Sequence, residues 1–325
     1  MLSAFTLLMK CFSLLWPFEL SIYALLISNT TVAMIFNIVH TTAYEYSAPA
    51  IESFTELRVR PRQSNRQIVQ HHVTEVTPRA VLEEFADYYD NAVECLSVPY
   101  RHKTLTVTSR STVETLPHKD VLSALDLSVS EAVRLNWPQR RELFDFLMPS
   151  KHAPITTELE QMSKQQLPSS SSFAESMLGL CKYIYETFTY MPGVTDIRTP
   201  LTDVLRKRQG VCQDFAHLMI ALIRCAGLPA RYVSGYLETE SVRGTSGLVG
   251  ATASHAWVEV YLPSGIWVGI DPTNDMLEGE RHVQIGIGRD YGDVPPLRGV
   301  FKGAKRQQLS VAVSVSRTTG ETVNG

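Results

Sequence analysis

The sequence predicts an α+β protein, strand-rich over its first part and built around one buried helix in its second. Three observations carry that prediction. Between residues 34 and 105, short alternating β-branched and aromatic runs are separated by turn residues. After Cys212-Gln213-Asp214-Phe215-Ala216-His217 the chain is almost wholly apolar to Ala226, with Gly227 and Pro229 as stop signals. Residues 230–237, 254–262 and 266–271 then read as strands again. At about 150 residues per domain, a chain of 325 residues suggests two domains.

The first element in order is an apolar leader. Residues 1–39 carry only two charges, Lys10 and Glu19. Three readings are open: a membrane anchor, a signal peptide, or an extension ahead of a chain that starts near Met34. Ser28, Asn29, Thr30 and Thr31 interrupt the apolar run, and residues 35–46 read as one continuous strand, which favours the extension. The expected location is cytoplasmic, and membrane contact or export follows only if the leader is a genuine anchor or signal.

Strands are expected at 34–46, at 54–60 where Pro61 ends it, at 67–77 where Pro78 stops it, and at 104–108. Together they suggest a small β-sandwich. A helical stretch is expected at 140–148, with Pro138 in its first turn. The run from Pro168 to Ser172 reads as a linker. Its last serine is placed to cap a helix, with Glu175 completing a capping box. Met177, Leu180, Cys181, Ile184 and Phe188 lie on one face of that helix, and Pro192 closes it. The expected organisation is a leader at 1–33, a β-rich domain at 34–120, a helical connection and Ser-rich linker at 121–172, a core at 173–300, and a C-terminal strand with a polar tail at 301–325.

Composition narrows the function. Lys plus Arg number 30 against 33 for Asp plus Glu, a formal charge of −3, so there is no basic footprint for nucleic acid. Five cysteines without a C-x-x-C pair suit neither a disulfide scaffold nor a structural zinc site. No metal and no organic cofactor is expected.

Cys212 opens the buried helix, just after Gly210-Val211. Unpaired N–H groups and the helix dipole there favour negative charge, which suits a thiolate nucleophile. A small buried hydrophobe is the other reading of the same position. On the second of the later strands, His255, Trp257, Glu259 and Tyr261 share one face. Pro263-Ser264-Gly265 forms the turn to the next strand, and a hairpin centred on residue 263 sets His255 opposite Asp271 or one residue off. A cysteine beside a histidine that faces a carboxylate is a nucleophile, a base and an orienter. The polar, Gly-rich residues 238–253 read as a mobile loop beside the strand ends.

Four ordered blocks resemble the transglutaminase-core family: GVCQDFAH at 210–217, ARYVSGY at 230–236, ASHAWVEV at 253–260 and DPTN at 271–274. More narrowly, the chain is similar to the bacterial transglutaminase-like branch, whose β-rich N-terminal domain resembles the stretch starting at 38–46. That branch's C-terminal segment resembles 288–297. The resemblance implies a papain-like fold with the nucleophile helix packed on an antiparallel sheet. It also implies a triad of Cys212, His255 and Asp271.

No tryptophan lies shortly upstream of Cys212 of the kind that supports the oxyanion in animal transglutaminases. Tyr190 is the nearest substitute, as an oxyanion donor or as a core or rim tyrosine. Gln213 either lines that site or packs the helix start, and Trp257 either shields the imidazole or fills core. His217 lies on the opposite side of the helix from Cys212 and reads as structural. Arg289-Asp290-Tyr291 either bind substrate or hold the C-terminal segment. Cys95, Cys181 and Cys225 read as inert thiols.

The expected activity is cysteine-dependent acyl transfer on amide or peptide bonds through a thioester, with a protein or peptide as substrate and water as the acceptor. The alternatives are protein-glutamine cross-linking and a non-catalytic module that keeps the fold.

Overall fold

A computed structural model describes residues 33–117, 120–238 and 254–318. The expected leader, nearly all of the loop at 238–253 and most of the polar tail lie outside the described residues. The first strands are β1 (Met34–Ala50), β2 (Glu52–Leu57), β3 (Gln67–Thr77), β4 (Val81–Ala86), β5 (Ala92–Val98) and β6 (His102–Thr115). Helices α1 (Val129–Asn136), α2 (Phe144–Leu147), α3 (Thr157–Gln166) and α4 (Phe173–Thr187) follow. Next come β7 (Thr189–Tyr190), α5 (Leu201–Lys207), β8 (Gln209–Gly210) and α6 (Cys212–Cys225). The chain ends with β9 (Ala230–Leu237), β10 (His255–Tyr261), β11 (Trp267–Asp271), β12 (Met276–Leu277), β13 (His282–Gly288), β14 (Leu297–Lys302) and β15 (Gln307–Arg317).

The sandwich consists of two antiparallel sheets, β15-β1-β6-β3 and β14-β2-β5-β4, each completed by a strand from the C-terminal end of the chain. Tyr46, Leu57, Leu96, Val98, Leu105 and Val107 fill the space between them. At about 3.3 Å per residue, the 17 residues of β1 span about 55 Å, enough for one face to cover two partners. Its second half packs into the sandwich. Its first half, with Phe36 and Ile38, packs with Val113 and Val315 on Tyr236, Val283 and Ile285 of a third sheet. Between the two apolar patches His40 hydrogen-bonds Tyr236 Oη at 2.8 Å and Thr42 Oγ1 at 3.1 Å. Burial pushes its pKa down to about 4, so it sits there neutral.

The third sheet, β12-β11-β10-β9-β13, carries the helices on its other face. Twelve of the fourteen residues of α6 are buried, among them Asp214, His217 and Arg224, each of which has polar partners. Strands β9 and β10 and helices α3, α4 and α5 enclose it. At the far end of α6 the buried Arg224 guanidinium donates to the carbonyls of Phe146 at 3.0 Å, Met148 at 3.1 Å, Ala230 at 2.9 Å and Arg289 at 2.7 Å. A cation at a helix C-terminus also suits the dipole.

Several local expectations are corrected. The strand expected at 54–60 ends at Leu57, and that expected at 104–108 extends over His102–Thr115. The helix expected at 140–148 is a 3₁₀ turn containing Pro138 followed by the four-residue α2. Ser172 caps α4 by accepting the Glu175 N–H, while the full reciprocal box stands at Ser128 and Glu131 on α1. Helix α4 stops at Thr187, ahead of Pro192, because Thr189 and Tyr190 pair as a parallel strand with Gln209 and Gly210. Among the described residues, no helix is long and apolar enough to cross a membrane.

Candidate active site

The cysteine end of the candidate site starts from Gly210. A Cβ there would stand 2.8 Å from Asp214 Oδ2, so only glycine leaves room for the Asp214 carboxylate to fold back. That oxygen accepts the Val211 N–H at 2.8 Å and the Thr195 hydroxyl at 2.6 Å. Asp214 thereby caps the helix from inside, and the N–H groups of Cys212 and Gln213 in the first turn have no intrahelical partner. Cys212 is 8% exposed, the only part of α6 near solvent at this end besides half-buried Gln213.

The histidine end is a strand terminus. His255 is the first residue of β10 and Asp271 the last of β11. The observed register pairs Val258 with Ile270 and Tyr261 with Trp267, which centres the hairpin on residue 264 rather than 263. Asp271 therefore belongs opposite Trp257, two residues beyond the expected partner. A shift of two keeps the same face, and the diagonal neighbours His255 and Asp271 meet, with Nε2 2.8 Å from Oδ2. Both side chains are fully buried. Since Asp271 occupies Nε2, the other ring nitrogen, Nδ1, is the one left for the thiol. It is buried with no well-formed hydrogen bond among the described residues, while Cys212 acts on the ring's protonation.

The electrostatics follow from these contacts. Burial works to lower the His255 pKa, but the Asp271 carboxylate and Cys212 outweigh it and hold it up at about 10. Burial likewise works to raise that of Asp271, and His255 and His282 outweigh it, holding the carboxyl well below the usual range. Among the described residues Asp271 accepts four hydrogen bonds. Besides His255, Oδ2 takes Asn274 Nδ2 at 2.7 Å and His282 Nε2 at 3.3 Å, and Oδ1 takes the Thr273 N–H at 2.9 Å.

Trp257 lies against the His255 ring at 6.0 Å between centroids and 29° between planes, with none of its surface exposed. It thus fills core in contact with the imidazole. Room for it comes from Gly235, where a Cβ would stand 2.3 Å from Trp257 Cη2 and 2.3 Å from the Val283 carbonyl. Gly235→Ala is expected to lower stability by about 3 kcal/mol, the upper range for overpacking, since one obstacle is backbone. Thermal unfolding measures it, and a melting temperature equal to that of the parent would contradict the packing argument.

Tyr190 pairs with Gly210 across the β7–β8 ladder, two residues ahead of Cys212. Burial, and then the charge of Cys212, push its pKa up to about 12, so near neutral pH the phenol keeps its proton and can donate. His217 points away from this cluster. Its Nε2 accepts the Tyr291 N–H at 3.1 Å, its ring stacks on His152 at 5.2 Å, and burial pushes its pKa down to about 3. Arg289-Asp290-Tyr291 hold the C-terminal segment: Arg289 pairs with Asp293 at 2.9 Å and Asp290 accepts the His152 N–H at 2.8 Å. Cys181 packs behind Asp271, its thiol donating to the Asp271 carbonyl at 3.4 Å.

His282, absent from the sequence-based site, is the residue the fold adds. With His255 and Asp271 it forms a cluster whose ligand-type atoms lie within 4.8 Å of one another, the arrangement among the described residues closest to a metal site. Hydrogen bonds already link the two imidazoles to the carboxylate between them.

Comparison with known proteins gives family matches in both parts of the chain. Residues 160–272 match the transglutaminase-like superfamily, and residues 36–114 match the bacterial transglutaminase-like N-terminal region. The chain is 34% identical over 289 residues to an uncharacterized protein of Mycobacterium leprae, covering 86% of this chain and 98% of the relative. It is 33% identical over 130 residues to a protein-glutamine gamma-glutamyltransferase of Pseudomonas aeruginosa, 35% of this chain and 20% of that one. A solved structure described as a candidate cysteine protease from Cytophaga hutchinsonii has the same fold, with a TM-score of 0.69 at 22% identity over 90% of this chain and 93% of that one. With both family regions matched in chain order and a relative matched over nearly its whole length, the chain belongs to the transglutaminase-like superfamily, carrying the bacterial transglutaminase-like N-terminal region ahead of its core.

Proposed function

We propose that this protein cleaves amide or peptide bonds by acyl transfer to Cys212, with water as the final acceptor. The observation that supports it most is the buried His255–Asp271 pair, closed at Nε2 and open at Nδ1 beside a cysteine in the first turn of α6.

In this reading the Cys212 thiolate attacks the carbonyl carbon, and the carbonyl electrons move onto oxygen. The Cys212 N–H and the Tyr190 hydroxyl donate to that oxyanion, with Gln213 lining its edge. His255 gives its Nδ1 proton to the leaving nitrogen as the C–N bond breaks, leaving a thioester. It keeps its Nε2 proton, held by Asp271. Water then adds to the thioester, its proton passing to Nδ1 as the C–S bond breaks. The substrate is a protein or peptide chain, and the charge balance of the molecule gives no reason to expect nucleic acid.

Two measurements test the reading. Iodoacetamide near neutral pH is expected to alkylate Cys212 at least tenfold faster than Cys95, Cys181 or Cys225, because burial pushes the latter three thiols up. Equal rates would contradict an activated nucleophile. A peptide-library digest read by mass spectrometry, with and without a primary amine, tests the acceptor. Hydrolysed products in both conditions are expected. Predominant amine-linked products would replace hydrolysis with cross-linking, and a thiol as inert as its neighbours would favour a non-catalytic module.

A further inference from the structure

A cysteine, a base and a carboxylate are sufficient for the chemistry above, yet a second buried imidazole is in contact with the carboxylate. His282 opens β13, the edge strand next to β9 and not a neighbour of β11 in the sheet, so only the tertiary fold brings it to Asp271. Its Nδ1 accepts the Gly279 N–H at 3.2 Å. A backbone N–H can only donate, so Nδ1 is the bare nitrogen and the ring proton sits on Nε2. That proton points at Asp271 Oδ2, 3.3 Å from the ring nitrogen. The backbone thus selects the one tautomer able to support the carboxylate.

The ring is also wedged in place. It meets Trp257 edge-on at 5.1 Å and 68°, and the His255 ring lies 6.2 Å away. Asn274 Nδ2 reaches the same oxygen from the turn after β11. Two donors, one from β13 and one from that turn, therefore fix where Oδ2 stands. The remaining approach to it is the one His255 uses. The other titratable groups around the pair are Cys212 from α6, Cys181 from α4, and Asp275 and Glu278 from the segment after β11.

We propose that His282 is a positioning residue for the site: its Nε2–H holds Asp271 in the place from which the carboxylate orients His255 toward Cys212. The proposal rests on the cysteine chemistry argued above. Without the donor, Oδ2 is free to swing toward Asn274, and the imidazole loses its alignment. An error of about 1 Å at a reacting group can cost about a hundredfold in rate.

The test compares three proteins by the rate at which iodoacetamide alkylates Cys212 at neutral pH, where the thiolate sulfur forms the S–C bond and iodide leaves. His282→Phe keeps the ring against Trp257 but loses the donor. His282→Gln carries an amide N–H close to the position of Nε2. The expected result is a loss of about ten- to a hundredfold in His282→Phe, recovery to within about threefold in His282→Gln, and similar melting temperatures for the two. A role in packing alone predicts the opposite order, since Phe packs better than Gln, and that outcome would overturn the proposal. If His282→Phe does not fold, His282→Asn takes its place, because its amide reaches toward Gly279 and not Asp271. Wild-type Cys212 reacting no faster than the other thiols would overturn the cysteine reading itself and this proposal with it. A fast wild-type thiol unaffected by either change would overturn only the role of His282.

Discussion

Cys212→Ala is expected to abolish turnover, with a loss of about a millionfold, while the protein folds and melts as the parent does. The size follows from removal of the covalent route as a whole; removal of a nucleophile or its base from such a unit costs about 10⁶ in kcat. Folding survives because Cys212 lies at the surface end of α6, where it is 8% exposed, and the capping bonds of that end belong to Asp214. Circular dichroism and thermal melting alongside a product assay separate the two effects. Wild-type turnover by Cys212→Ala would end the acyl-enzyme account.

Asp271→Asn is expected to reduce turnover by about four orders of magnitude, the range known for loss of an orienting carboxylate. An amide that presents its N–H₂ to Nε2 forces that nitrogen to be the acceptor, and the ring proton then moves to Nδ1, where a base is needed. The pH dependence should change as well, and its sign is set by the forces on His255. Burial lowers its pKa, while Asp271, ahead of Cys212, raises it to about 10. In the parent the imidazolium that protonates the leaving nitrogen persists up to about that pH and is lost above it, so the alkaline limb of the turnover profile is expected near there. With the carboxylate replaced by a neutral amide, the burial effect is opposed only by Cys212, and the alkaline limb moves downward. Amide turnover across pH in both proteins measures it. An unmoved limb would mean that Asp271 does not hold the His255 proton.

Much of this site is legible in the sequence because its signals are local. Gly210 and Cys212 ahead of an apolar run specify a helix start with a thiol in its first turn, and the period of a strand places His255 and Trp257 on one face. The register was less accessible. The turn closes with Leu262 N–H on Ile266 at 2.8 Å and Gly265 at a φ of +87°, so its centre is residue 264. Moving the centre by one residue moves the pairing by two, and a two-residue shift preserves the face. The expected contact therefore forms with a different opposite residue; a shift of one would have turned Asp271 away.

His282 had no such local signal. It lies eleven residues past Asp271 on a strand that pairs elsewhere, and a lone histidine before a valine resembles any strand start. Helix α1 is the contrary case: it is absent from the sequence-based expectations although Ser128 and Glu131 stand at the spacing of a capping box. The long reach of β1 over two partners is beyond local reading, because its alternation continues unchanged from one apolar patch to the next.

The most direct test of the thioester is to trap it. The wild-type protein is mixed with the p-nitrophenyl ester of a short acylated peptide, whose fast leaving group makes deacylation the slow step, and quenched in acid for intact mass and peptide mapping. The predicted result is one acyl adduct on Cys212, removed by hydroxylamine, absent from Cys212→Ala and formed far more slowly in His255→Ala. Nitrophenol release in a burst with no adduct on Cys212, or with the adduct on another residue, would contradict the account.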